Sequence, residues 1–272
     1  MSGKIILHGL ETDDYIHPNE KNFRADALKN FTLVQKGLDM LNDGSIQLLR
    51  QITEGKWVEV TRQTASDLFD VLDEVKEVLD FPHTPKIFVR HEWTFDITCG
   101  GTDYMQILIP DAVLNNFDRQ MLAFMLGRGI GMFKSGNVRL NTICSVLIDN
   151  AATRPFQLAL HVYIRATNLS NERAGLLACQ NISAAVKCLL CEAGFPLVEL
   201  RCLSDEEILK FAKNYPDAMD YMQSDFLTDT ATFWKNLNSA ISPVYLRVQE
   251  LLNWYDDGGY GAVLAKRGGE LL

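Results

Sequence analysis

Apolar residues return every three or four positions along several stretches of this chain, the signature of amphipathic helices. Over 22–42 the series is Phe23, Ala27, Leu28, Phe31, Val34, Leu38 and Leu41, ended by Asn42, Asp43 and Gly44. A short helix over 46–52 follows, then a brief strand around Trp57, Val58 and Val60. Thr64, with Asp67 three residues on, predicts the start of a helix that buries Leu68, Val71, Leu72, Val75, Val78 and Leu79. Phe81, Pro82 and Pro85 stop it. Three β-rich runs over 86–89, 94–98 and 104–109, separated by turn-formers such as Gly100, Gly101 and Asp103, predict one small sheet. From there the helical period dominates: 118–134, 138–149, 163–192, 204–213 with a Ser204/Glu207 capping box, and 243–254. The pattern predicts an α+β chain in which helices predominate. Residues 1–60 read as a helical extension packed on a domain that spans 61–272.

Composition narrows the partners rather than the fold. With 272 residues, 47% of them hydrophobic, the chain can bury a large core. A net charge of -9 and an isoelectric point near 5.1 argue against nucleic acid, because phosphates require a basic surface. The most apolar stretch, 121–133, is interrupted by Arg128 and is shorter than the roughly 20 residues of a membrane span. The opening residues carry no signal-peptide pattern, so the expected location is the cytoplasm. The six cysteines, Cys99, Cys144, Cys179, Cys188, Cys191 and Cys202, read as buried thiols. Cys188 and Cys191 form a lone C-x-x-C inside a helical pattern, where packing explains them.

The segments 122–137 and 165–178 resemble the two active-site helices of the HtpX/Ste-type zinc metallopeptidases. His17-Pro18, the run from Trp57 to Thr61, the three-strand region ending at Pro110, and the run from Ser242 to Arg247 with Trp254 beyond it fall in the same order as their counterparts there. The resemblance implies a zincin-like domain with a three- to four-stranded sheet and two central helices. In that family the first helix carries H-E-x-x-H, two imidazoles that hold one zinc ion and a general base between them. In this chain the same frame runs from Arg128 and Gly129 to Met132. The positions of the third zinc ligand and of the acid that orients a histidine correspond to Asn168 and Glu172. Both imidazoles and the base are therefore gone. The family's histidine before a later proline is replaced by Ser242.

No other metal site is apparent. His91-Glu92 has Phe95 where a second histidine would stand, and His8, His17, His83 and His161 show no ligand spacing. Zinc is thus expected to be absent, and no other cofactor is implied. Gly127, Gly129, Gly131 and Gly136 cannot make a nucleotide loop, since no strand leads into them; each costs helix propensity of about 1 kcal/mol, as if shaped for close approach. Met132 reads as filler for the space left by an imidazole and an ion. A guanidinium at Arg128 on such an apolar helix needs a partner, and Glu172 is the expected one.

These expectations add up to a pseudopeptidase that binds a peptide or protein through the family's groove, with Phe95, Thr98, Gly100, Gly101, Ser242 and Arg247 along it. A catalytically active paralogue is one candidate partner. The alternative is an enzyme of altered, possibly hydrolytic chemistry around Arg128, Asn168, Glu172 and His161, or weak metallopeptidase activity with a non-standard metal site.

Overall fold

A computed structural model of the protein describes residues 3–22, 24, 55–101, 104–138, 157–214 and 244–272. The helices expected over 22–42, 46–52 and 138–149 fall outside these residues apart from their edges, as do Cys144 and Ser242. In chain order the elements are β1 (Ile5–Leu7), α1 (Thr12–Tyr15), β2 (Val58–Val60), α2 (Ser66–Val78), β3 (Lys86–Arg90), β4 (Thr98–Gly100) and β5 (Gln106–Pro110). They continue with α3 (Asp111–Asn116), α4 (Arg119–Lys134), α5 (Gln157–Cys179), α6 (Ile182–Glu192), α7 (Leu197–Cys202), α8 (Asp205–Asn214), α9 (Val244–Asp256), α10 (Gly259–Arg267) and β6 (Gly268–Leu271). The fold is α+β. No helix among the described residues is long and apolar enough to cross a membrane.

The main sheet has the order β2-β3-β5-β4. β3 and β5 are parallel, while β2 and β4 run antiparallel to their neighbours, so β4 is an edge strand. Its register puts Cys99 opposite Ile107 and Thr98 opposite Leu108. The second β-rich run was expected to be a strand over 94–98, but pairing starts only at Thr98. Residues 93–97 instead lead into the strand as a loop.

α4 starts where the sequence predicts. The Asp118 carboxylate accepts from the backbone N–H groups of Gln120 and Met121, both at 2.9 Å, satisfying two donors that have no partner within the helix. α4 and α5 then pack very closely. A Cβ on Gly127 would overlap Ala178, and one on Gly131 would overlap Ala174, so two glycines four apart form a flat stripe against small residues of α5. The helix propensity lost at these glycines is offset by main-chain proximity, which sets the spacing of everything the two helices carry.

Two helix boundaries differ from expectation. α2 begins at Ser66 because the Thr64 hydroxyl closes a turn with Thr61 instead, accepting from its N–H at 3.0 Å and donating to its carbonyl at 3.1 Å. The single helix expected over 163–192 is two, broken at Gln180, which takes a left-handed φ of 49°. Asn181 caps the second by accepting from Ala184 N–H at 3.0 Å. The Gln180 carboxamide grips both the N–H (2.9 Å) and the carbonyl (2.6 Å) of Ile5. β1 also pairs with β6, which ties the two ends of the described chain together.

Candidate functional site

α4 brings Arg128, Gly129 and Met132 to one side, α5 brings Asn168 and Asn171, and β4 with the loop before it brings Asp96, Thr98 and Cys99. Together with Ile97 these residues line a cleft of about 200 Å³. Four of the positions expected from the resemblance to be degenerate zinc or base sites, Arg128, Gly129, Met132 and Asn168, therefore meet in one place, facing Thr98 of the expected groove. Gly129 is needed there because a Cβ would run into the Cys99 sulfur.

Glu172, the fifth expected position, lies fully buried behind the cleft. The expected Arg128–Glu172 ion pair does not form. Arg128 instead pairs with Glu192, at the last residue of α6, and lies 3.7 Å from Asp96. Glu192 also holds Arg247 of α9, with Nη2 at 2.8 Å from Oε2, and Arg247 in turn pairs with Glu172. The result is a continuous chain of charges, Asp96–Arg128–Glu192–Arg247–Glu172, that joins four helices to the loop before β4. Side-chain exposure falls along it from 57% at Asp96 to 1% at Glu172.

Burial dominates the electrostatics of this chain. It pushes the Glu172 carboxyl above the usual carboxylate range, with Arg247 and Arg128 opposing, and one of its oxygens is buried without a hydrogen bond. For Arg247 burial alone would lower the pKa, but Glu172 and Glu192 outweigh it and hold the guanidinium above its ordinary value. Arg128 is held up in the same way by Glu192 and Asp96 against its own desolvation. Both arginines are charged at any pH the protein meets. The Cys99 thiol beside them is pushed up to about 12, by burial first and by Asp96 second, so it is no nucleophile at neutral pH.

The expected groove residues separate. Thr98 lines the cleft, whereas Gly100 ends β4 and Gly101 turns away from it with φ 95°. Phe95 belongs to a neighbouring pocket of about 640 Å³, where Trp93, Phe195, Leu197 and Val198 supply apolar walls and Asn116 and Arg201 supply polar ones. Asp96 lines both cavities. Trp93 and Val198 are 78% and 69% exposed at the pocket. Arg247 is not on a groove surface at all, being 3% exposed. His161 does not line the cleft; it is buried, and burial followed by the nearby Arg165 lowers its pKa.

Periodicity did not single out Glu192. Its one sequence signal is a carboxylate at the C-terminal end of a helix, where the dipole disfavours negative charge unless a cation compensates. The cysteines also differ in part from expectation: Cys179, Cys188 and Cys191 are buried, but Cys99 is half-buried and Cys202 is exposed. Among the described residues no group of three or more His, Cys, Asp or Glu side chains is placed to hold a metal ion. No family model, curated protein or solved structure matches the chain.

Proposed function

We propose that this chain is a metallopeptidase-like protein with a zincin-like core that has exchanged its metal for ion pairs and binds a peptide or protein partner without hydrolysing it. The observation that carries the reading is the buried chain Arg128–Glu192–Arg247–Glu172, together with Met132 and Asn168 in the cleft beside it. The residues at the positions implied by the resemblance do not fit zinc. They offer a guanidinium, a thioether and a carboxamide, and no imidazole lines the cleft. A divalent ion about 5 Å from one guanidinium is opposed by about 7 kcal/mol at an effective dielectric near 20. The nearby carboxylates of Glu192 and Glu172 do not offset this, because arginine already engages them.

What remains usable is the edge of β4 and the space beside it. An extended peptide can add to such an edge through main-chain hydrogen bonds that need no metal, and the larger pocket next to Asp96 is placed to take one of its side chains. The acidic chain favours neutral or basic peptides over nucleic acid. The test is fluorescence anisotropy of the full chain with a pool of blocked, randomised, labelled decapeptides, with and without a chelator, run beside a peptide-cleavage assay in added zinc. Chelator-insensitive binding without cleavage is expected. Zinc-dependent turnover, or no binding at all, overturns the proposal.

A further inference from the structure

Asn168 and Asn171 lie three apart on α5 and therefore on one face, and both line the cleft opposite Thr98 of β4. Asn171 is only 4% exposed, yet its Oδ1 is buried without a hydrogen-bond partner. A buried acceptor that stays unsatisfied is costly, and such groups in a folded protein call for an explanation. Arg128 Nε, in the same cleft, lacks a partner too. Neither atom has more than a trace of surface open to solvent, so each stands in the wall of the cleft as an acceptor or donor that a ligand meets only when the side chain turns toward it.

We infer that Asn168 and Asn171 are main-chain readers, whose carboxamides grip peptide groups of a segment running between α5 and β4. This rests on the peptide-binding reading above and adds what the ligand must carry. A carboxamide offers one acceptor and two donors, the complement of a peptide group's N–H and C=O. Phosphate and carboxylate ligands fail this requirement, because they bring acceptors alone and leave Asn171 Oδ1 without a donor. Arg128 gives them little additional pull, since its charge is met by Glu192 and Asp96. Size points the same way. About 200 Å³ is smaller than the roughly 300–1,000 Å³ of sites that enclose a small molecule, and suits a main chain passing through. Recognition at this point is therefore tolerant of side-chain identity and intolerant of a blocked peptide N–H.

The test compares two pools of blocked, randomised, labelled decapeptides on the full chain, one unmodified and one N-methylated throughout. β4 pairing also penalises methylation, so the decisive quantity is how the preference for the unmodified pool changes on substitution. In Asn168→Ala and Asn171→Ala, checked for native circular dichroism and thermal midpoint, that preference is expected to shrink by about tenfold in the double variant. Asn168→Ala alone, at a half-buried site, serves if the double variant does not fold, and is expected to show part of the loss. An unchanged preference in the variants overturns the asparagine contact and leaves peptide binding standing. Failure of the wild-type chain to bind either pool overturns both.

Discussion

Glu192→Gln removes the one charge that both buried guanidinium groups share while keeping the side chain's shape. The Glu192 and Arg247 side chains are 6% and 4% exposed, so Arg247 cannot turn to water without opening the packing of α6 and α9, whereas Arg128, 11% exposed at the cleft, keeps only Asp96 at 3.7 Å. Removing one partner from a buried ion pair typically costs about 3–5 kcal/mol, because an uncompensated charge is left behind. A glutamine carbonyl returns about 1 kcal/mol as an ordinary hydrogen bond. A loss of about 3 kcal/mol is expected, a large part of the roughly 5–15 kcal/mol by which domains are stable. Adding Arg128→Met to Glu192→Gln removes the guanidinium left with Asp96 alone, leaves Arg247 with Glu172, and should restore at least about 1 kcal/mol. Urea midpoints followed by circular dichroism and by tryptophan fluorescence measure both changes. If Glu192→Gln lies within about 0.5 kcal/mol of the parent, the ion-pair chain does not hold the helices as described.

His17 makes stability depend on pH. Its Nδ1 accepts from Asn19 N–H at 3.2 Å and its Nε2 meets Glu250 at 3.2 Å, while burial first and Arg173 second hold its pKa below the ordinary 6.5. The folded state therefore favours the neutral ring: its contribution is complete above pH 6.5 and is lost as pH falls from there through the lower folded value. His17→Gln should flatten the thermal midpoint between pH 7 and pH 5, and an unchanged slope would exclude His17 as its source. Gly131→Ala gains about 1 kcal/mol of helix propensity but forces a methyl onto Ala174, an overpacking cost of about 1–3 kcal/mol, so net destabilisation in urea is expected. A more stable variant would mean that α4 and α5 are not in close contact there. Trp93→Ala, at a 78% exposed site, should leave the midpoint unchanged but weaken decapeptide binding by about 1–2 kcal/mol; unaltered affinity would remove the larger pocket from the ligand path.

Local chemistry made much of this fold legible in the sequence. Asp118 announces α4, Ser204 and Glu207 form the reciprocal cap that starts α8, and the buried positions of α2 are the ones the 3.6-residue period picks out. The break between α5 and α6 was hidden because neither Gly nor Pro marks it. Gln180 is held in a left-handed conformation by contacts with β1, some 175 positions away. The site was legible to the same limit. That residues of α4 and α5 would converge was implied by the resemblance and not by periodicity, and Arg128, Gly129, Met132 and Asn168 line one cleft. The partner of Arg128 could not be read, because Glu192 and Arg247 come from α6 and α9, whose positions around the cleft depend on tertiary packing.

Whether a guanidinium stands where the resemblance would place a metal can be observed by diffraction. Crystals of the full chain grown with excess zinc, recorded on both sides of the zinc absorption edge, should show no anomalous peak between Arg128, Met132 and Asn168, and continuous density from Arg128 through Glu192 and Arg247 to Glu172. A full-occupancy zinc peak in that cleft, with Arg128 turned away, would contradict the account.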